Sequence, residues 1–194
     1  MSGTPDPEDP DATAVWPAGA AGRGTRVVGA ALLDAARRPT HVLAAQRAYP
    51  AELRGLWEFP GGKQEPGESA LDALVRECRE ELDLRIRLLD EVTPPAPDGW
   101  PLAGTAVMRV FTAVVDNGGS LGSAVPDPVS APTDQDEPTS QDVHAGPGTP
   151  VFPSGDHLEV RWLPLADPAQ ILGLPWIPAD LPIVAALLEM LRTE

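Results

Sequence analysis

Three glutamates in one short segment have the residue type and the spacing to bind a divalent cation. Residues 69–82 are predicted to form a helix, because apolar residues recur along one side of it. Glu77, Glu80 and Glu81 are then three and four positions apart, so their carboxylates project from one helix face. Carboxylate oxygens are ligands that Mg²⁺ and Mn²⁺ prefer, and such a cation allows a phosphate ester to approach an acidic surface. The alternative is that these charges form an ordinary solvated helix face.

The residues before the helix favour the chemical interpretation. A Pro-Gly-Gly turn at residues 60–62 and then Glu68 precede the three glutamates at fixed distances. Residues 62–84 resemble the Nudix box, G-x5-E-x7-R-E-U-x-E-E-x-G-U, in which U is aliphatic. Cys78 replaces an aliphatic residue of this pattern, and Asp83 replaces the glycine that ends the helix. Cysteine packs as a small hydrophobe and aspartate tolerates the left-handed conformation, so we expect a small stability cost and no loss of chemistry.

The resemblance extends beyond the box to the MutT-like branch of the family, over roughly residues 25–116 and 155–193. It is carried by four further segments: LAAQR at 43–47, GLWEFPGGK at 55–63, HLEVRWLPL at 157–165 and WIPADLPIV at 176–184. It implies an α+β fold, the Nudix α/β/α sandwich with a mixed sheet between helices. It also implies hydrolysis of nucleoside triphosphates with Mg²⁺ as cofactor, for which Mn²⁺ can substitute.

The same resemblance implies roles for individual residues. The metal ligands and catalytic carboxylates are Glu77, Glu80 and Glu81, with the Gly61 carbonyl as a further ligand. The substrate-binding residues are Arg47, Phe59, Lys63 and Asp180. The structural residues of the box are Gly62, Glu68 and Arg76, of which the last two are expected to form a buried ion pair that braces the loop and the helix.

A further metal ligand is implied at Asp156. This residue lies six positions before Trp162, where MutT-like proteins often carry a glutamate. Aspartate is one methylene shorter, and Glu159 is a nearby substitute. Glu77, Glu80 or Asp156 could each serve as the general base, since the spacing alone does not choose among them.

Base recognition is expected at Asp180, within Pro-Ala-Asp at 178–180. An ionised carboxylate accepts hydrogen bonds from the N1–H and N2–H₂ edge of guanine or from N4–H₂ of cytosine. The alternative is that Asp180 only caps the last helix. The resemblance implies 8-oxo-dGTP or a similar damaged nucleotide as the favoured substrate, and (d)CTP is the second candidate. A catalytically idle Nudix module that senses a ligand or binds a protein is the alternative from another class.

Charge and composition exclude several other classes of protein. Lys and Arg total 14 against 29 Asp and Glu, a net charge of -15, which argues against binding of nucleic acid polymers or anionic lipid surfaces. Apolar stretches fall short of the ~20 residues that span a bilayer, and the N-terminus has no secretory pattern. The single cysteine, Cys78, excludes an internal disulfide, so we expect a cytoplasmic protein.

Domain boundaries follow the distribution of proline and acidic residues. Residues 1–24 are predicted to be a disordered tail, and residues 117–155 a disordered, low-complexity insertion in a Nudix domain spanning 25–193. Alternating and apolar runs predict a hairpin from 26–34 and 41–48, further strands at 56–59, 85–92, 106–115 and 157–163, a helical turn at 167–172 and a second long helix at 180–191.

Overall fold

The computed structural model describes residues 24–116 and 155–193, so the predicted disorder of 1–23 and 117–154 lies outside the described residues. Within these ranges no helix is both long and apolar enough to cross a membrane. The elements are β1 (Arg26–Leu33), β2 (His41–Arg47), β3 (Trp57–Glu58), β4 (Gly61–Lys63), α1 (Ala70–Leu82), β5 (Ile86–Glu91), β6 (Trp100–Pro101), β7 (Val107–Val115), β8 (His157–Pro164), α2 (Pro168–Leu172) and α3 (Leu181–Arg192).

The sheet is mixed, as expected. Its main path runs β3-β2-β1-β7-β5, with β4 paired to β1, β6 to β7 and β8 to β2. Strands β1 and β7 are parallel along their whole paired length, whereas the other pairs are antiparallel.

The predicted hairpin of β1 and β2 is only partly present. The two strands pair at Leu33 and Val42 alone. Elsewhere along these strands, β4 pairs with β1 at Val27–Gly29, and β3 pairs with β2 at Ala45 and Gln46. The two strands therefore diverge, and the short segments β3 and β4 fill the gap between them. The strand β4 forms where the sequence predicts a turn at residues 60–62.

Two apolar layers enclose the sheet and confirm the α/β/α arrangement. One core packs α1 against one face of the sheet through residues such as Leu74, Cys78 and Leu82. The other packs α2 and α3 against the opposite face through Ile171, Ile183 and Leu187. Both layers rest on the same central strands, so the side chains of α1 are held in a fixed position relative to β4.

Hydrogen bonds close both ends of α1, and the conformation at its C-terminal end is the one that the sequence predicts. The Ser69 hydroxyl accepts a hydrogen bond from the Asp72 N–H at 3.1 Å and caps the N-terminus. At the other end Asp83 takes the left-handed conformation, with φ of 52°, and its N–H donates to the Arg79 carbonyl at 3.1 Å. Cys78 is fully buried on the apolar side of the helix, as expected of a core residue.

Candidate active site

Arg76 joins the loop before α1 to the acidic face of the helix. Its Nε and Nη2 lie 3.0 and 3.1 Å from the two carboxylate oxygens of Glu68, which is the predicted ion pair. Its Nη1 lies 3.0 Å from both Glu77 Oε1 and Glu80 Oε2, and Nη2 donates to the Lys63 carbonyl at 3.1 Å. The pair is partly rather than fully buried, with 25% of the Arg76 side chain exposed. One planar guanidinium thereby fixes three carboxylates and the end of β4.

Gly62 permits the close approach of α1 to β4. A Cβ atom at this position would lie 2.4–2.5 Å from the Glu77 carboxyl group, closer than any real contact. Gly61, with φ of 150°, also leaves no room for a side chain, because a Cβ atom there would lie 2.1 Å from the Val28 carbonyl oxygen. Its N–H donates to Glu81 Oε2 at 3.2 Å. The two glycines therefore allow carboxylates of the helix to lie directly on the β4 backbone.

Glu81 is the most perturbed of the three helix carboxylates. Burial raises its pKa to about 7, against the opposing effects of His157 and of the Gly61 N–H. His157 Nε2 lies 4.0 Å from Glu81 Oε2. A carboxyl group with a pKa near neutrality is suited to accepting or releasing a proton at physiological pH.

The chemistry of the donor set fits a hard divalent cation, although its members do not meet at one point. Among residues 24–116 and 155–193, no three His, Cys, Asp or Glu side chains are arranged to hold a metal ion. Glu77 and Glu80 both turn to Arg76, and Glu81 turns to the Gly61 N–H, because carboxylates that repel one another pair with electropositive groups. Glu77, Glu80, Glu81 and the Gly61 carbonyl remain the oxygen donors that would hold Mg²⁺.

A second group of charged residues lies behind Glu81. The Arg47 Nη1 is 2.5 Å from Glu58 Oε2, and the other oxygen of Glu58 is 3.4 Å from His157 Nε2. Glu58 and His157 are both buried. The sequence predicted Arg47 as a phosphate contact but did not single out Glu58 or His157. Their signal was weak: Glu58 lies inside the WEFPGG segment, and His157 follows Asp156 directly.

The structure places Asp156 beside the loop that follows β2. Its carboxylate accepts a hydrogen bond from the Tyr49 hydroxyl, and its carbonyl accepts from the Ala48 N–H at 2.9 Å. Glu159 instead pairs with Arg161, whose guanidinium lies 4.9 Å from the centre of the Trp57 ring. Trp57 belongs to the core on the α3 side of the sheet, so Glu159 faces away from the α1 glutamates. Glu159 is therefore wrong as a substitute ligand.

Asp180 is buried next to Phe59 and does not cap α3. It occupies the position before the helix, but its side chain makes no cap hydrogen bond, so the capping alternative is wrong. Its Oδ2 lies 3.4 Å from the Phe59 N–H. Burial and, to a smaller extent, the charge of Glu58 raise the Asp180 pKa to about 7. Phe59 is itself 2% exposed and packs on Trp176 at 5.4 Å between ring centres.

Lys63 lies at the end of β4 with its side chain exposed to solvent. Its backbone carbonyl is tied to Arg76, so its position along the acidic face of α1 is fixed while the ammonium group is free to reach outward. Contact of Lys63 and Arg47 with phosphate stays a prediction.

Comparison with known proteins identifies the family. The model of the NUDIX domain matches residues 24–186, so the chain belongs to the Nudix family. This match confirms the expected Nudix fold, and similarity to curated 8-oxo-dGTP diphosphatases confirms the MutT-like resemblance.

Two curated bacterial proteins are similar to parts of this chain. A CTP pyrophosphohydrolase of Escherichia coli is 55% identical over 47 residues, which is 24% of this chain and 35% of the relative. An 8-oxo-dGTP diphosphatase of Proteus vulgaris is 43% identical over 61 residues, which is 30% of this chain and 54% of the relative. The chain thus spans about half or less of the length of these curated relatives.

One solved structure resembles this chain over most of the length of both proteins. The E. coli ORF135 protein superimposes with a TM-score of 0.55 and 25% identity, covering 88% of this chain and 92% of that one. An Ap4A hydrolase of Caenorhabditis elegans superimposes with a TM-score of 0.53 at 15% identity, a likeness of fold alone.

Proposed function

We propose that this protein is a Mg²⁺-dependent nucleoside triphosphate pyrophosphohydrolase that sanitises 8-oxo-dGTP or a similar damaged nucleotide. The observation that carries the proposal is the acidic face of α1 held against the Gly61–Lys63 backbone by Arg76. This arrangement offers carboxylate and carbonyl oxygens for a cation beside an exposed lysine for phosphate. The substrate pool of such an enzyme implies a cytoplasmic protein.

In the proposed reaction, water attacks phosphorus and the nucleoside triphosphate gives a nucleoside monophosphate and pyrophosphate. Held by Glu77, Glu80, Glu81 and the Gly61 carbonyl, Mg²⁺ would neutralise phosphate oxygens and lower the pKa of bound water. Lys63 and Arg47 orient the phosphate chain, and a carboxylate receives the proton of the attacking water. Glu77, Glu80 and Asp156 are the candidates for this base, because each presents a carboxylate that hydrogen bonds to Arg76 or Tyr49 hold in place.

Asp180 supports recognition of an oxidised guanine. A carboxyl group with a pKa of about 7 exists in both forms near neutrality, so it can donate as well as accept a hydrogen bond. An oxidised guanine offers both acceptors and N–H donors along its edge. The similarity to an 8-oxo-dGTP diphosphatase favours this substrate, and the similarity to a CTP pyrophosphohydrolase makes (d)CTP the second candidate.

A pyrophosphate-release assay on the purified chain tests the proposal. Its panel contains 8-oxo-dGTP, dGTP, dCTP, CTP and 5-methyl-dCTP with Mg²⁺. We expect kcat/KM for 8-oxo-dGTP to exceed that for dGTP by about tenfold or more. A preference for dCTP or CTP would select the second candidate. Failure to hydrolyse any triphosphate would instead support a catalytically idle module.

Substitution of Glu81 tests the role of the acidic face. Glu81→Gln should lower kcat by about a hundredfold or more, because it removes a ligand for the cation. The melting temperature should stay unchanged or rise, because repulsion with Glu77 and Glu58 is relieved. Glu189→Gln, an exposed change on α3, is the matched control and should keep full activity. A Glu81→Gln protein that unfolds would make Glu81 a structural residue.

A further inference from the structure

His157 is a buried histidine that faces two carboxylates of the candidate site. It is the first residue of β8 and pairs with Arg47 of β2 across the sheet. Its side chain is 2% exposed. Its Nε2 lies 3.4 Å from Glu58 Oε1 and 4.0 Å from Glu81 Oε2, on the side of the sheet that α1 covers. The ring therefore links the charged group around Glu58 to the helix carboxylate.

We propose that His157 is a positioning residue that keeps the Glu81 carboxylate in its working orientation through the electrostatic attraction of an Nε2–H group 4.0 Å from it. The proposal rests on the proposed function, in which Glu81 is a ligand for the cation. An ionised carboxylate only accepts hydrogen bonds, so the Nε2–H tautomer is the one that suits the carboxylate forms of Glu58 and Glu81. The other nitrogen, Nδ1, is buried and has no hydrogen-bond partner within residues 24–116 and 155–193.

The neighbours of His157 restrict its movement. The Arg47 guanidinium takes Glu58 Oε2 and leaves Oε1 for His157. Glu58 is thereby held from both sides and cannot turn without losing one partner. Glu81 Oε2 accepts a hydrogen bond from the Gly61 N–H on β4 at 3.2 Å. The His157 Nε2 on β8 lies 4.0 Å from the same oxygen, so its influence on Glu81 is electrostatic. Residues that orient a metal ligand in this manner commonly change metal affinity or activity by about 10–100-fold when they are replaced.

The competing explanation is that His157 only fills space in the core. The two explanations differ in which ring atom matters. A glutamine amide nitrogen reaches the position of Nε2, whereas an asparagine amide reaches only that of Nδ1. Gln and Asn therefore form a matched pair that separates a positioning role from simple packing.

The test compares His157→Gln, His157→Asn and His157→Phe with the wild-type chain. Each protein is measured for melting temperature, for Mn²⁺ affinity by calorimetry without nucleotide, and for kcat and KM with Mg²⁺ and 8-oxo-dGTP. We expect the Asn and Phe variants to lose about 10–100-fold in Mn²⁺ affinity and in kcat with little change in KM, and the Gln variant to stay within about threefold of wild type. His41→Gln, at the opposite end of the β2–β8 pair, is the control.

Two results would overturn the proposal. Folded Asn and Phe variants with wild-type Mn²⁺ affinity and kcat would show that Glu81 does not depend on His157. Equal losses in all three variants, including Gln, would show that the ring contributes packing alone. The Mn²⁺ measurement needs no nucleotide, so a wild-type chain that binds Mn²⁺ but hydrolyses no triphosphate would refute the proposed function and leave the role of His157 to be decided by metal affinity.

Discussion

Asp180 is a carboxyl group whose burial makes protein stability depend on pH. Its folded-state pKa of about 7 lies above the unfolded value, so the folded protein binds the proton more tightly. The contribution to stability is then fully present below about pH 4 and is lost as pH rises through about 7. Asp180→Asn removes this titration while keeping the size of the side chain.

We therefore expect Asp180→Asn to melt at least about 3 °C above wild type at pH 8 and to differ little at pH 4.5. Thermal unfolding at both pH values measures this. Asp90→Asn, a change at an exposed residue of β5, is the control and should shift neither value. A constant difference at both pH values would mean that the Asp180 carboxyl does not titrate in this range.

The same substitution tests base recognition. An amide both donates and accepts hydrogen bonds, but it does not titrate. A base whose edge matches the carboxyl group therefore loses one hydrogen-bond partner, which costs about 1–3 kcal/mol of binding free energy. Asp180→Asn should change the ratio of kcat/KM between 8-oxo-dGTP and dCTP by about tenfold or more. If both values fall equally, the base is read by other groups, for instance along Val107–Val115.

At the scale of single residues, the sequence predicts those site residues that lie close to one another in the chain. Glu77, Glu80 and Arg76 lie on one helix, so their spacing is enough to bring them together. Glu58 and His157 are 99 positions apart in the chain, and only the pairing of β2 with both β3 and β8 brings them into contact. No periodicity in the sequence carries that information.

At the scale of elements, the end of α1 shows how a departure from the family pattern is accommodated. Asp83 adopts the left-handed conformation that the usual glycine would take, at φ of 52°. The backbone hydrogen bond that ends the helix is kept, and the acidic face one turn earlier is undisturbed. The cost should therefore appear in stability and not in activity.

Replacing Asp83 by glycine should stabilise the protein by about 1 kcal/mol, because glycine enters this conformation without steric cost. Chemical denaturation measures the change, and kcat should stay the same. Thr193→Gly is the matched control, since this residue ends α3 with φ of -91° and gains nothing from glycine. Equal stabilisation of both variants would contradict a specific role for the left-handed conformation.

The divergence of β1 and β2 was harder to predict than either helix. Apolar periodicity lies within each helix, so α1 and α3 were predicted to within one or two residues. The segments β3 and β4 have two and three residues, too short for any alternation to appear. Their existence depends on the edges that β1 and β2 leave open, which is a property of the assembled sheet.

At the scale of the whole molecule, much of the negative charge lies outside the elements of the fold. Residues 1–24 hold four acidic residues and one arginine, and residues 116–156 hold seven acidic residues and no basic one. The remaining domain is only mildly acidic. The net charge of -15 therefore bears on solubility more than on the electrostatics of the site.

Deleting residues 1–24, or replacing 118–153 with a short Gly-Ser linker, should leave kcat/KM and the melting temperature nearly unchanged. These segments are rich in proline and acidic residues and poor in large apolar ones, so they contribute little apolar burial. The two truncated proteins are compared with wild type in the same pyrophosphate assay. A large loss of activity in the second protein would show that residues 118–153 take part in substrate binding.

The most direct test of the central claim is ³¹P NMR of the products formed from 8-oxo-dGTP. With Mg²⁺ we predict the nucleoside monophosphate and pyrophosphate in equal amounts, no reaction in EDTA, and recovery when Mg²⁺ or Mn²⁺ is restored. Formation of a diphosphate and inorganic phosphate, or full turnover in the chelator, would contradict the assignment of this chain as a metal-dependent pyrophosphohydrolase.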